Sequence, residues 1–118
     1  MCKYKMVHKM EKATYSLSAL QQCKELARKT SWSTRLKNEH YSRSAEINIL
    51  FASCQKLLNS VLFQPDLSPA YDYQQMIKSN TCTKKQLDTQ LRICHIFINN
   101  QIEAIEKAIQ DNSVNVTP

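Results

Sequence analysis

The 118-residue chain contains no glycine and only three prolines. Without glycine no Walker loop and no dinucleotide fingerprint can be written, so Gly-rich phosphate cradles are excluded. Hairpin turns that need positive φ lose their default residue, which argues against an all-β fold. The five cysteines (Cys2, Cys23, Cys54, Cys82 and Cys94) are odd in number and none forms a C-x-x-C pair. A zinc ribbon or a redox dithiol motif therefore has no local support. Long apolar runs are missing as well. Stretches such as Ile49-Leu50-Phe51-Ala52 fall far short of the roughly 20 residues of a membrane span. No apolar segment follows the N-terminal lysines, so a secretory signal is not expected.

What remains is an ordinary mixture, 42% hydrophobic and 22% charged. That is enough apolar content for one real core in a single domain. The net charge is +6, and it is unevenly placed: residues 1–37 carry +7 and residues 38–118 carry −1. A basic N-terminal third suits an acidic partner, which could be a protein segment, nucleic acid or an anionic membrane surface. The plainer reading is a solvated lysine-rich face. Cys23, Cys54 and Cys94 fall on apolar stripes, where a reduced thiol packs as a small hydrophobe. With no secretory signal, the expected setting is intracellular, cytoplasmic or nuclear. A mitochondrial presequence is the alternative, and the prevalence of lysine over arginine argues against it.

Apolar spacing is helical throughout. Met6, Met10, Ala13, Leu17 and Leu20 recur at steps of three and four, and Cys23, Leu26 and Ala27 continue that face. The spacing predicts a first helix to about Lys29, with Ser18 and Gln21 as a capping box if it begins late. The hydroxyl-rich run Thr30-Ser31-Trp32-Ser33-Thr34 breaks it. A second helix is predicted from Asn38 or Glu39 to Phe63. It is apolar around most of its girth and so is expected to be the central, most buried element. Ser68-Pro69 reads as an N-cap with proline at the first helical position, opening a short helix to about Lys78 that Ser79-Asn80-Thr81 closes. Thr83 and Gln86 form a second capping box. Behind them Leu87, Leu91, Cys94, Ile98, Ile102, Ile105 and Ile109 recur about every 3.7 residues, predicting a last helix over 84–110. The expected fold class is all-α: an antiparallel up-down bundle of three long helices plus one short one. Residues 1–16 are expected as a basic arm or helix extension, 17–110 as the bundle, and 111–118 as a flexible tail.

Catalytic constellations are not found. His8, His40 and His95 are far apart in sequence, and Cys94 beside His95 points about 100° away from it on a helix, so no metal ligand set is expected. Glu103 and Glu106 read as a solvated face, and no Glu-x-x-His motif of a di-iron bundle occurs. No cofactor and no enzymatic activity are expected. The candidate binding residues are Lys24, Arg28, Lys29, Trp32, Arg35, Lys37 and Arg43, a basic set around one aromatic that could contact phosphates or an acidic peptide. For Trp32 the favoured reading is a cap on one end of the core.

Three segments resemble the helices of MIT domains. Ala19-Leu20-Gln21-Gln22-Cys23-Lys24-Glu25-Leu26-Ala27 is similar to the first, the segment with Tyr41, Ala45, Ala52 and Leu57-Leu58 to the second, and Leu87 through Ile109 to the third. The resemblance implies a small antiparallel three-helix bundle that binds short helical or extended motifs, typically in membrane-remodelling proteins of the endosomal sorting system. The expected function is a non-enzymatic protein-protein interaction module, an adaptor or regulator. It would take a partner helix or peptide, an acidic one being favoured by the basic N-terminal third, in a groove between neighbouring helices such as the last two long ones. The isoleucine-rich last helix raises homo-oligomer formation as a further expectation. A nucleic-acid-binding helical domain is the alternative.

Overall fold

A computed structural model describes residues 14–58, 66–111 and 114–117. In chain order these form strand β1 (Thr14–Ser16), helices α1 (Leu17–Lys29), α2 (Glu39–Leu58), α3 (Ser68–Ser79) and α4 (Lys84–Gln110), and strand β2 (Asn115–Thr117). The expected all-α bundle is what forms. Its proportions differ, because α1 has 13 residues and α3 has 12, so two long helices pack with two short ones.

Local chemistry sets each boundary. Ser16 has extended backbone, and its hydroxyl accepts the Ala19 N–H at 3.2 Å. It satisfies one of the orphan donors of the first turn, so the capping box expected at Ser18 and Gln21 is not the one used. The chain then leaves α1 at Thr30, whose hydroxyl donates back to the Leu26 carbonyl at 2.8 Å. At the start of α2 the Glu39 carboxylate accepts the backbone N–H groups of Arg35 and Leu36 at 2.7 and 2.9 Å. Those two hydrogen bonds hold its carboxyl below the usual range, and a negative charge there favours the helix dipole. The expected run of α2 to Phe63 passes beyond Leu58 into residues outside those described. In α3 the N-cap is Leu67 rather than Ser68, because Ser68 is held instead by the Asp66 carboxylate, which accepts both its backbone N–H and its hydroxyl. Asn80 ends α3 in the left-handed region at φ 55°, the one positive φ among the described residues. In a chain without glycine, asparagine is the residue that visits this region at least cost. The Thr83–Gln86 capping box is present in both directions.

Four helices close into a ring in which α1 packs on α2 and α4, and α3 packs on the same two from the other side. Among the helix pairs that pack, α2 and α4 touch each other least. The groove expected between the last two long helices is therefore filled by α3. Its Ala70, Tyr73 and Ile77 enter a core shared with Cys23, Ile47, Phe51, Leu58, Leu91, Ile98 and Ile105. Cys23, Cys54 and Cys94 have no exposed surface and are free thiols. The isoleucines of α4 at 98, 102 and 105 are likewise buried, leaving Ile93 and Ile96 outside.

Three expectations are corrected. Residues 14–16 are a strand and not a helix extension, and the tail is not free at 115–117, because β1 and β2 pair in parallel with Tyr15 opposite Val116. Tyr15 is 4% exposed and belongs to the core cluster, so the pairing closes one edge of the hydrophobic body. The expected arm at 1–13 lies outside the described residues. Finally, α2 is not buried all round: Tyr41, Ala45, Ile49 and Ala52 face outward. In a ring of four helices each one keeps an outer face, whatever its composition.

Candidate functional site

The basic residues singled out in the sequence do not form one patch. Lys24 pairs with Glu106 at 2.8 Å and Arg28 with Glu25 at 2.8 Å, both beside a cleft of about 300 Å3 between α1 and α4 that also includes His95. The Arg28 guanidinium holds the Glu25 carboxyl below its ordinary range. Arg35 and Lys37 lie exposed in the α1–α2 connection. Trp32 is half-buried. Its indole N–H donates to the Ala27 carbonyl at 3.0 Å, and its ring stacks on His95 with centroids 4.5 Å apart and planes at 10°. One face and the polar edge of the indole are thus engaged in tying the end of α1 to α4.

Lys29 and Arg43 are brought together. They line a groove of about 380 Å3 between α1 and α2, walled by Leu26, Ile49 and Leu50, with Glu46 and Ser53 at its side. Leu26 and Ile49 are 39% and 66% exposed, a large apolar surface for two residues facing one another across a helix pair. Arg43 is mostly covered. Its Nη1 donates to Glu46 at 2.7 Å and its Nη2 contacts the Ser33 carbonyl at 3.4 Å. Its Nε–H is buried with no hydrogen-bond partner, a local cost to the fold. Lys29 has no carboxylate within ion-pair distance among the described residues. The groove therefore offers apolar walls and one cation that forms no ion pair among the described residues.

A buried polar network braces the other side of α2, and no local motif announces it. His40 has no exposed surface. Its Nδ1 hydrogen-bonds to the Tyr73 hydroxyl on α3, and its Nε2 lies 2.8 Å from Asp88 Oδ1 on α4. Thr34 donates to the same Asp88 oxygen at 2.9 Å, and Lys84 Nζ sits 2.7 Å from Oδ2. Lys84 first, then Thr34 and His40, hold the Asp88 carboxyl below its ordinary range. Burial pushes the Tyr73 hydroxyl well above its ordinary value. These residues have the types of an acid-base relay. His40 and Tyr73 have no exposed surface, whereas Asp88 and Lys84 are partly exposed, so the network joins three helices and reaches the surface only at its carboxylate end. Burial likewise pushes the Cys94 thiol up to about 12, which makes it a poor nucleophile.

Among the described residues no three His, Cys, Asp or Glu side chains converge as a metal-binding group, and no helix is long and apolar enough to cross a membrane. No protein-family model, no curated protein and no solved structure matches the chain.

Proposed function

We propose that this chain is a non-enzymatic interaction module whose α1–α2 groove takes a short partner segment bearing a bulky apolar side chain next to a carboxylate. The observation that carries the reading is the coincidence, in one groove, of exposed Leu26 and Ile49 with the Lys29 ammonium. An apolar anchor between the two walls would bury surface worth about 1.5–3 kcal/mol. A carboxylate would meet the Lys29 ammonium, a charge-assisted contact stronger than a neutral one. The basic N-terminal third would raise the association rate of such a partner. The likeness to MIT domains supports the same class of role, since those bundles also take short motifs, and the buried free thiols support a reducing, intracellular setting.

Phage-displayed peptides selected on the purified chain test this. Selected sequences should pair Leu, Ile or Phe with a neighbouring Asp or Glu. A labelled peptide of that kind should lose about tenfold or more in affinity on Ile49→Asp and on Lys29→Glu, with the helical circular dichroism unchanged. A peptide that binds both variants as tightly as the parent would refute the groove assignment. Displacement of the peptide by nucleic acid at low salt would favour the alternative, a basic surface for phosphates. Against that alternative, Lys24, Arg28 and Arg43 already face carboxylates.

A further inference from the structure

Two sulfur atoms meet in the core. Cys23 lies on the inner face of α1 and Cys54 on the inner face of α2, and neither has any exposed surface. Both are free thiols, and a side-chain hydrogen bond joins them. The helices that carry them pack directly on each other. Facing positions on helices whose axes lie about 10 Å apart, each Cα about 2.3 Å from its axis, bring Cα atoms to roughly 5 Å. A disulfide spans about 4–7 Å between Cα atoms. The third wholly buried thiol, Cys94, is engaged elsewhere: it donates to the Pro69 carbonyl, at the start of α3, at 3.3 Å.

We propose that Cys23 and Cys54 are a disulfide site, a covalent lock between α1 and α2 that closes when the chain folds in the presence of glutathione disulfide or an oxidant of that class. The reaction is a double exchange. One protein thiolate attacks a sulfur of glutathione disulfide, forming a mixed disulfide and releasing one glutathione thiolate. The second protein thiolate attacks the protein sulfur of the mixed disulfide and expels the other glutathione. Two S–H bonds give way to one S–S bond, and the two electrons and two protons leave on two glutathione molecules. The step belongs to folding, because neither sulfur is reachable once the core has closed. The hydrogen bond to Cys54, and burial after it, push the Cys23 thiol well above its ordinary range, and the same bond holds the Cys54 thiol low. Folding selects the partner, since native packing already sets these two sulfurs against each other. Where the chain folds among reducing thiols the pair stays open, so one sequence has two covalent forms, chosen by the redox state of the place where it folds. The lock would tie a loop of 31 positions (54 − 23). It would sit one turn from Leu26 on α1 and from Leu50 on α2, joining the two helices that wall the groove, whatever the groove binds.

Oxidative refolding tests the lock. In a Cys2→Ser, Cys82→Ser background, the reduced, urea-unfolded chain is diluted into a mixture of glutathione and glutathione disulfide. A monomer lighter by two hydrogen atoms should accumulate. Proteolysis should yield a peptide linked through Cys23 and Cys54, and Cys94 should be the thiol left to alkylate in denaturant. The helical circular dichroism of this species should match that of the reduced chain. Its urea midpoint should lie roughly 1 M or more higher, from closure of a loop this long. Cys23→Ala and Cys54→Ala should each lose the lighter species. Comparing the oxidised with the reduced parent requires neither alanine variant to fold. Bridges through Cys94, an oxidised form with less helix, a midpoint no higher than that of the reduced chain, or folding with both thiols still free in the oxidising mixture would each overturn the proposal. Failure of peptide binding in the groove would leave these outcomes unchanged.

Discussion

Replacing His40 by alanine tests whether the buried network holds α2, α3 and α4 together. The substitution removes a side chain with no exposed surface and leaves the Tyr73 hydroxyl, itself wholly buried, without its imidazole partner. An orphaned buried hydroxyl costs about 1–3 kcal/mol. The cavity left by the ring adds about 2 kcal/mol more, by comparison with other large-to-small core changes. The loss at Asp88 is small by contrast, since it keeps Thr34 and Lys84 and is 36% exposed. The sum is about 3–5 kcal/mol, a large part of the 5–15 kcal/mol that stabilises a typical domain. Urea unfolding followed by circular dichroism at neutral pH reads it directly. Tyr73→Phe completes a double-mutant cycle: it removes the hydroxyl that His40→Ala orphans, so the pair should be less damaging than the two single changes added together, by at least 1 kcal/mol or so. A His40→Ala cost under about 1 kcal/mol, or strict additivity, would show that the network is decoration on an otherwise sufficient apolar core.

Acid should weaken the fold in a defined direction. The carboxyls of Asp88, Glu39, Glu25 and Asp66 all lie below their ordinary values in the native state. Their contribution is present above the unfolded carboxylate range, near pH 4, and drains away as pH falls through the native values. Asp88→Asn should flatten part of that slope in pH-dependent urea titrations. Thiol titration of the native Cys2→Ser variant should find Cys82 reactive and Cys23, Cys54 and Cys94 silent until denaturant is added, since those three are wholly buried. Rapid labelling of more than one thiol would contradict this packing. Thr83→Ala should cost about 1 kcal/mol through loss of the α4 cap, measurable as a shift in the urea midpoint. Asn80→Val should cost about 1–2 kcal/mol, and Asn80→Gly should be neutral or better, because of the left-handed backbone at that position.

The elements whose evidence is local were legible in the sequence. The span of α4 and its Thr83–Gln86 box follow from one apolar period and one four-residue motif, and both are found as expected. Features assembled across the chain were not legible. His40 meets Tyr73 across 33 positions and Asp88 across 48, and no spacing rule connects them. The β1–β2 pair was missed because three-residue strands are too short to show an alternating pattern. Apolarity around most of α2 points to the central, most buried helix, whereas part of it forms an outward face. Of the seven candidate binding residues, Lys29 and Arg43 share a groove, while Lys24 and Arg28 border a different cleft because carboxylates on α1 and α4 answer them. Trp32 joins α1 to α4. Charge in a sequence shows how many cations there are, and only the fold shows which of them already have partners.

The parallel pairing of residues 14–16 with 115–117 gives the molecule a mechanical character. Because the two strands run the same way, chain attached before the first leaves in the opposite direction from chain attached after the second. Tension applied through such attachments would load the strand pair in shear, sharing the force among its bonds, rather than peeling them one at a time. Flanking segments could therefore tug on this domain while the helices, and the surfaces they present, keep their shape.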